Sequence, residues 1–233
     1  PRTLAMTAYA GLETSVIDEL PPGRQPVQTV TVSNERRAEV IQRVAAACKD
    51  GRQIYWVCTL IEESEVVEAQ AAEDVASELK LALPGIHIGL VHGRLKSIEK
   101  QAVMQSFKDG QTQLLVATTV IEVGVDVPNA SLMIIENAER LGLAQLHQLR
   151  GRVGRGNTQS SCLLLYDPGA GNMARERLNI LRETNDGFRI AEKDLELRGP
   201  GEVLGTRQTG MLQFRVADLA RDQDLLERIP AVA

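Results

Sequence analysis

The chain has 233 residues, of which 43% are hydrophobic and 24% charged, a balance that is ordinary for a folded globular protein and excludes a disordered chain. Its 26 basic and 31 acidic residues give a formal charge of −5, which excludes a strongly basic nucleic-acid coat but leaves room for a local basic site. Aromatic residues make up only 3%, so the core must be aliphatic.

Residues 1–26 form a mixed lead-in that ends in two prolines and a glycine, which predicts an extended linker. After it, short apolar runs alternate with helical patterns. Strands are predicted at residues 27–32, 53–58, 86–91, 114–117, 132–135 and 162–166. Helices are predicted at residues 34–49, 65–83, 97–108 and 143–150. The alternation predicts an α/β fold, a parallel sheet with helices on both faces.

The pattern changes near residue 168, where a Pro-Gly break is followed by two predicted helices, at residues 173–184 and 188–197, and by a glycine-rich loop. We therefore divide the chain into a linker (1–26), an α/β domain (27–167) and a helical hairpin with its loop (168–233). The chain begins without Met and stops soon after a helical pattern, so we expect an internal piece of a longer protein.

Residues 148–156, with the sequence QLRGRVGRG, carry the strongest chemical signal. Arginine is suited to two-pronged contact with phosphate oxygens. Arg152 and Arg155 are three residues apart and would share a face if the segment were helical. A solvated basic turn is the alternative that the residues alone leave open.

Residues 116–128, with the sequence VATTVIEVGVDVP, run from a buried strand into a loop. Open parallel sheets bind ligands beyond the carboxyl ends of their strands, where Thr118 and Thr119 could help to hold a phosphate. Gly124 would permit close approach, and Asp126 could accept a hydrogen bond from a ribose or orient an arginine. A strand-to-helix turn with threonine caps is the alternative.

Other reactive side chains are weaker candidates. The three histidines are dispersed without the spacing of metal ligands, so surface or turn positions are expected for them. Three cysteines fit a reducing cytoplasm, and Cys58 and Cys162 lie in apolar strands where inert core residues are expected. Trp56 could stack on a base, but its place inside a strand favours core packing.

Together the two motifs resemble motifs V and VI of the superfamily 2 helicases. Residues 54–65 resemble motif IV, and residues 91–94 resemble the His-Gly step after it. Over nearly its whole length the chain is similar to the RecG family of bacterial ATP-dependent DNA helicases. Residues 186–199 and 205–210 resemble the translocation motif that this family shares with the transcription–repair coupling factor Mfd.

In this superfamily two RecA-like lobes hold ATP between them, and the resemblance implies that this chain is the second lobe. Arg152 and Arg155 match the arginines that reach the γ-phosphate, which in other nucleotide hydrolases raise the rate roughly 10³–10⁵-fold. The matching nucleotide-side positions are Gly124, Asp126 and Gln148. The positions matching contacts with the nucleic-acid backbone are His92, Gly93 and Thr118. The loop that would pull duplex DNA contains Arg198, Arg207 and Gln208.

A phosphate-binding loop needs Gly-Lys followed by Ser or Thr, and no Gly-Lys pair occurs in the sequence. Residues 16–19 imitate an acidic magnesium-binding motif, but the resemblance places them between the lobes. We therefore expect that the chain alone does not hydrolyse ATP, and that ATP and Mg²⁺ are held mainly by the first lobe of the same protein.

The resemblance also implies the partners and location of the intact protein. The expected partners are branched double-stranded DNA, such as stalled replication forks and Holliday junctions, and an N-terminal wedge domain of the same protein. A cytoplasmic, nucleoid-associated bacterial protein is expected.

Two alternatives remain at this point. One is an Mfd-like translocase, although the linker at residues 19–24 and the strand at residues 56–58 favour the RecG family. The other is a DNA-binding module with no enzymatic role, which the presence of a first lobe in the natural gene would exclude.

Overall fold

The computed structural model of the chain describes residues 25–59, 65–119, 127–156 and 158–198. The strands within them are β1 (Gln28–Ser33), β2 (Gln53–Cys58), β3 (Ile88–Val91), β4 (Leu114–Thr118), β5 (Ala130–Ile135) and β6 (Ser161–Tyr166). The helices are α1 (Arg37–Lys49), α2 (Glu65–Ala82), α3 (Ser97–Lys108), α4 (Leu143–Arg150), α5 (Asn172–Glu183) and α6 (Gly187–Arg198). Short 3-10 turns lie at Asn34–Arg36 and Ala138–Arg140.

The strands form one sheet in the order β1-β6-β5-β2-β4-β3, and every recorded pairing is parallel. Strands β2 and β4 lie inside the sheet and are buried along their whole length. A continuous apolar run suits such a strand because helices cover both of its faces. The predicted α/β fold with a parallel sheet is confirmed.

Alternate residues of β2 enter two separate cores, one on each face of the sheet. Ile54, Trp56 and Cys58 pack with residues of α1 and α2, whereas Tyr55 and Val57 pack on the opposite face. That opposite face is covered by α3, α4, α5 and α6. Trp56 is fully buried, so the expectation of core packing is confirmed.

The observed elements differ from the predicted ones mainly at their ends. The first turn of the helix predicted at residues 34–49 is a 3-10 turn, which Ser33 caps by accepting a hydrogen bond from the backbone N–H of Glu35 at 3.2 Å. Strand β3 begins at Ile88 rather than at residue 86, because the N–H of His87 donates to the side chain of Gln113 at 2.9 Å. Local side-chain bonds of this kind compete with regular backbone pairing.

The two helices after the sheet pack onto the α/β body. Leu178 and Leu181 of α5 and Ile190 of α6 are buried in the same apolar core as β5, β6 and α4. The division near residue 168 stays a prediction, but the hairpin is continuous with the core of the preceding segment.

Candidate functional site

Helix α4 leads into the arginine-rich segment. Its leucines Leu143, Leu146 and Leu149 recur at three-residue spacing and are buried against the sheet. At its start, the side chain of Gln145 accepts a hydrogen bond from the N–H of Gly142 at 3.3 Å. Because α4 starts beyond the carboxyl end of β5 and runs back along the sheet, its own carboxyl end lies at the amino-terminal edge of the strands.

The segment after α4 is a turn rather than a helix. Gly154 has a φ of +78°, and a Cβ there would lie 2.8 Å from the Cγ2 atom of Val27. Both properties require glycine. Residues 151–156 are therefore not helical, and Arg152 and Arg155 do not share a helical face. Arg152 is half-buried and Arg155 is exposed at the amino-terminal edge of β1 and β6.

Gly156 packs closely against the end of the motif at residues 116–128. A Cβ on Gly156 would lie 2.6 Å from the carbonyl oxygen of Pro128, which lies two residues before the start of β5. The turn therefore contacts the segment in which Gly124 and Asp126 occur in sequence. Those two residues belong to residues 120–126, outside the described residues, so their assignment stays a prediction.

Gln148 is exposed on α4 beside the turn, as a residue that meets a nucleotide must be. It lines a cleft of about 400 Å³ together with Gln25, Pro26 and Asn185. The predicted nucleotide-side residues that the structure describes, Gln148, Arg152 and Arg155, thus lie together at one edge of the sheet.

Arg150, the last residue of α4, was not among the predicted site residues. Its side chain is only 3% exposed. The guanidinium donates hydrogen bonds to the Oγ1 of Thr29 at 3.2 Å, and to the carbonyl oxygens of Leu181 at 2.7 Å and Thr184 at 2.9 Å. Burial lowers the pKa of Arg150 from its usual value, although arginine remains charged in proteins. The residues whose oxygens Arg150 binds lie 31 or more residues away in sequence, so no local pattern could have revealed its burial.

The predicted nucleic-acid contacts lie at the opposite edge of the sheet. Val91, which ends β3, pairs with Ala117 of β4, so His92 and Thr118 follow at neighbouring carboxyl ends. The five residues of β4 are separated by four steps of about 3.3 Å each, so the two edges are about 13 Å apart. A phosphate held beside Thr118 is therefore not the phosphate that the arginine turn would meet.

His92 lies at a turn, as expected, but not at the surface. The side chain is 6% exposed, its Nε2 atom lies 3.5 Å from an oxygen of Glu73, and its Nδ1 atom has no hydrogen-bond partner in the part of the chain that is described. The Thr118 side chain is also buried, whereas Gly93 is partly exposed. Of these three residues, Gly93 is therefore the most exposed.

No sequence pattern indicated the polar cluster that lies at the carboxyl ends of β2 and β5. Arg37 lies 2.6 Å from Glu136 and 2.5 Å from Glu78, and its guanidinium carbon lies 5.4 Å from the ring centre of Trp56. Because one arginine meets two carboxylates, the cluster offers no spare positive charge for a phosphate. Arg37 and Glu136 are 99 residues apart in sequence, and no local pattern could have paired them.

Of the three residues predicted to pull duplex DNA, the described part of the chain includes only Arg198. Arg198 is the last residue of α6. Arg207 and Gln208 lie outside the described residues. These three assignments stay predictions.

Models of two known protein families match this chain. The model of the helicase conserved C-terminal domain matches residues 35–157, more than half of the chain. The chain belongs to the helicase C-terminal domain family. A second model, for domain 3 of the ATP-dependent DNA helicase RecG at its C-terminal part, matches residues 184–233.

The similarity to RecG extends over the whole chain. RecG of Escherichia coli K12 is 68% identical over 234 residues, which cover 100% of this chain and 34% of that protein. RecG of Bacillus subtilis is 50% identical over 228 residues, covering 97% of this chain and 33% of that protein. The chain therefore spans about a third of the length of these relatives. Identity at this level argues against the Mfd-like alternative and against a DNA-binding module with no enzymatic role.

Solved structures agree with this family. A structure of RecG bound to a three-way DNA junction matches with a TM-score of 0.74 and 47% identity, covering 97% of this chain and 29% of that one. Dbp5 of Saccharomyces cerevisiae, solved with RNA and ADP BeF3, matches with a TM-score of 0.56 and 15% identity over 84% of this chain and 51% of that one, which supports the fold alone. Among the described residues, no helix has both the length and the hydropathy that crossing a membrane requires.

Proposed function

We propose that this chain is the second motor lobe of an ATP-dependent DNA helicase that remodels branched DNA, such as stalled replication forks and Holliday junctions, in recombination and repair. The observation that carries the proposal is the 68% identity to RecG along the entire chain. The chain spans a third of those relatives, so the activity is that of a longer protein in which this lobe takes part.

The amino-terminal edge of the sheet would face the nucleotide. Arg152 and Arg155 would stabilise the charge that develops on the γ-phosphate, a role that positively charged side chains play in phosphoryl transfer. Gln148, Gly124 and Asp126 would complete the nucleotide side. The contact between Gly156 and Pro128 supports this grouping because it joins the two segments.

The carboxyl-terminal edge would face the DNA backbone through Gly93, His92 and Thr118. A helicase that reads backbone rather than sequence needs only a few placed donors, so a net charge of −5 is compatible with this role. Arg198, Arg207 and Gln208 would belong to the loop that pulls the duplex. Opposite edges for nucleotide and DNA would keep the two ligands from competing.

The first lobe and the wedge domain of the same protein would be the partners of this lobe. ATP and Mg²⁺ would be held mainly by the first lobe, whose phosphate-binding loop has no counterpart in this sequence. We also propose that the intact protein is cytoplasmic and associated with the bacterial nucleoid.

Replacement of one arginine tests the nucleotide assignment. In the full-length protein, Arg155→Ala is expected to lower DNA-stimulated ATP hydrolysis by about 10³-fold or more, because charge stabilisation in the transition state is lost. The affinity for forked DNA, measured by fluorescence anisotropy, is expected to stay the same. Arg43→Ala, at an exposed position of α1, is the matched control and is expected to hydrolyse ATP like the parent. ATP turnover retained in Arg155→Ala would refute the role.

A further inference from the structure

Arg150 combines features that a surface arginine does not have. It is 3% exposed, and the two hydrogens of its Nη1 atom are shared among three oxygens within hydrogen-bonding distance: Thr29 Oγ1, Leu181 O and Thr184 O. Its Nη2 atom contacts the Nδ1 of His147 at 3.0 Å. Since a guanidinium has donors only, this imidazole nitrogen must be the acceptor.

The carbonyl oxygens identify what Arg150 holds. Leu181 lies in the last turn of α5 and Thr184 directly follows that helix. Carbonyls at a helix end lack partners within the helix, and a cation is favourable there. Arg150 therefore caps α5 from the end of α4, and through Thr29 it also holds the start of β1. Among the described residues, no carboxylate is a hydrogen-bond partner of Arg150.

The arginine turn begins at this capped point. The N–H of Gly151 bonds to the carbonyl oxygen of His147 at 3.0 Å, and the N–H of Arg152 to that of Leu149 at 2.9 Å. Val153 is fully buried, and its N–H bonds to the carbonyl oxygen of Arg150 at 3.3 Å. Arg152 thus lies between Arg150, whose side chain is bonded to the end of α5, and Val153, which is fully buried.

We propose that Arg150 is a positioning residue that fixes the arginine turn at residues 151–156 by binding the carboxyl end of α5 and the start of β1. The inference rests on the proposed function, because it assigns Arg150 a role in presenting Arg152 and Arg155 to the nucleotide. In this role Arg150 acts through the turn rather than through contact with ATP, and the carboxyl end of α5 becomes part of the support of the nucleotide site.

The test uses the full-length protein with Arg150→Met, which keeps an unbranched side chain but removes the charge and all donors. A displacement of reacting groups by about 1 Å can cost about 10²-fold in rate. We expect kcat for DNA-stimulated ATP hydrolysis to fall by about that factor, with KM for ATP and the Kd for forked DNA nearly unchanged, because the loss falls on the transition state. Arg150→Lys, which keeps the charge without the fork, should recover only part of kcat.

Two threonines of β1 provide a milder matched pair in case Arg150→Met does not fold. Thr29→Val removes one acceptor of Arg150 and should lower kcat by a smaller factor. Thr31→Val makes the same change two residues along the strand, where no hydrogen bond to Arg150 is lost, and should leave kcat unchanged. Equal kcat in the two valine variants would overturn the proposal.

Amide hydrogen exchange separates this proposal from the proposed function. Loss of positioning should accelerate exchange in residues 151–156 of Arg150→Met, or of Thr29→Val, whether or not the protein hydrolyses ATP. A parent protein without DNA-stimulated ATPase would refute the proposed function. Unchanged exchange and unchanged kcat in a folded Arg150→Met would refute the positioning role while leaving the function intact.

Discussion

Arg36 and Arg37 are neighbours in sequence whose surroundings differ. Arg36 pairs with Glu39 at 2.7 Å, and more than half of each side chain is exposed. Arg37 lies over the only tryptophan of the chain, Trp56, and bridges Glu136 and Glu78. Exposed ion pairs contribute little to stability, whereas removal of one partner from a nearly buried pair leaves a desolvated charge.

Arg37→Ala is therefore expected to lower the free energy of unfolding by about 1–3 kcal/mol, because Glu136 would remain largely buried without its cation. The fluorescence of Trp56 should change as well, since the cation above its ring is removed. Urea denaturation followed by tryptophan fluorescence measures both effects. Arg36→Ala is the control and should change neither, and equal losses in the two variants would contradict the argument.

Burial makes the three cysteine thiols weaker acids in the folded chain than in the unfolded chain. Burial raises the pKa of the Cys48 thiol to about 11 and that of Cys162 to about 12. Burial, with a smaller contribution from Glu136, also raises the pKa of Cys58 well above its usual range. The expectation that Cys58 and Cys162 are inert core residues agrees with these shifts.

Raised thiol pKa values predict a loss of stability at alkaline pH. Below the unfolded thiol pKa of 9.0, both states keep their protons and the thiols add no pH dependence. From pH 9 to pH 11 the unfolded thiols ionise while the folded ones do not. The free energy of unfolding should then fall by about 1.4 kcal/mol per thiol for each pH unit. Urea denaturation at pH 8 and pH 10 checks this, with the Cys48→Ala variant expected to lose less between the two pH values.

At the scale of elements, the hairpin of α5 and α6 is held to the α/β body by an apolar face. Leu181 is 1% exposed, whereas Met173 on the same helix is 61% exposed. Helices of this length depend on tertiary packing rather than on intrinsic propensity. The packing of this apolar face therefore holds α5 beside α4.

Leu181→Ala is expected to lower the free energy of unfolding by about 2–5 kcal/mol, because it leaves a cavity between α5 and the sheet. Met173→Ala changes a side chain of similar size on the outer face and is expected to cost less than about 0.5 kcal/mol. Thermal unfolding by circular dichroism compares the two variants. A larger loss in Met173→Ala would show that the hairpin packs differently.

At the scale of the whole molecule, this chain offers only one side of the proposed nucleotide site. Under magnesium, with or without forked DNA, the chain alone is expected to show no ATP turnover, because it lacks a phosphate-binding loop. It should bind forked DNA weakly, with an affinity that falls as salt rises. The full-length protein should hydrolyse ATP under the same conditions. Clear turnover by the chain alone would contradict the two-lobe proposal.

Local patterns were enough to predict the order of strands and helices. Apolar runs such as residues 114–117 identify strands buried on both faces, and the leucine spacing of α4 identifies its buried side. These features depend on neighbours in sequence, so the amino-acid order alone determines them.

Only the tertiary structure decided which distant residues meet. It placed the arginine turn at the amino-terminal edge of the sheet and His92 and Thr118 at the carboxyl-terminal edge, and it docked the hairpin on the body. It also buried Arg150 against carbonyl oxygens of Leu181 and Thr184, which lie 31 and 34 residues away in sequence. The physical reason is that a buried charge takes its partners from whichever backbone groups packing brings near, and packing is a property of the whole fold.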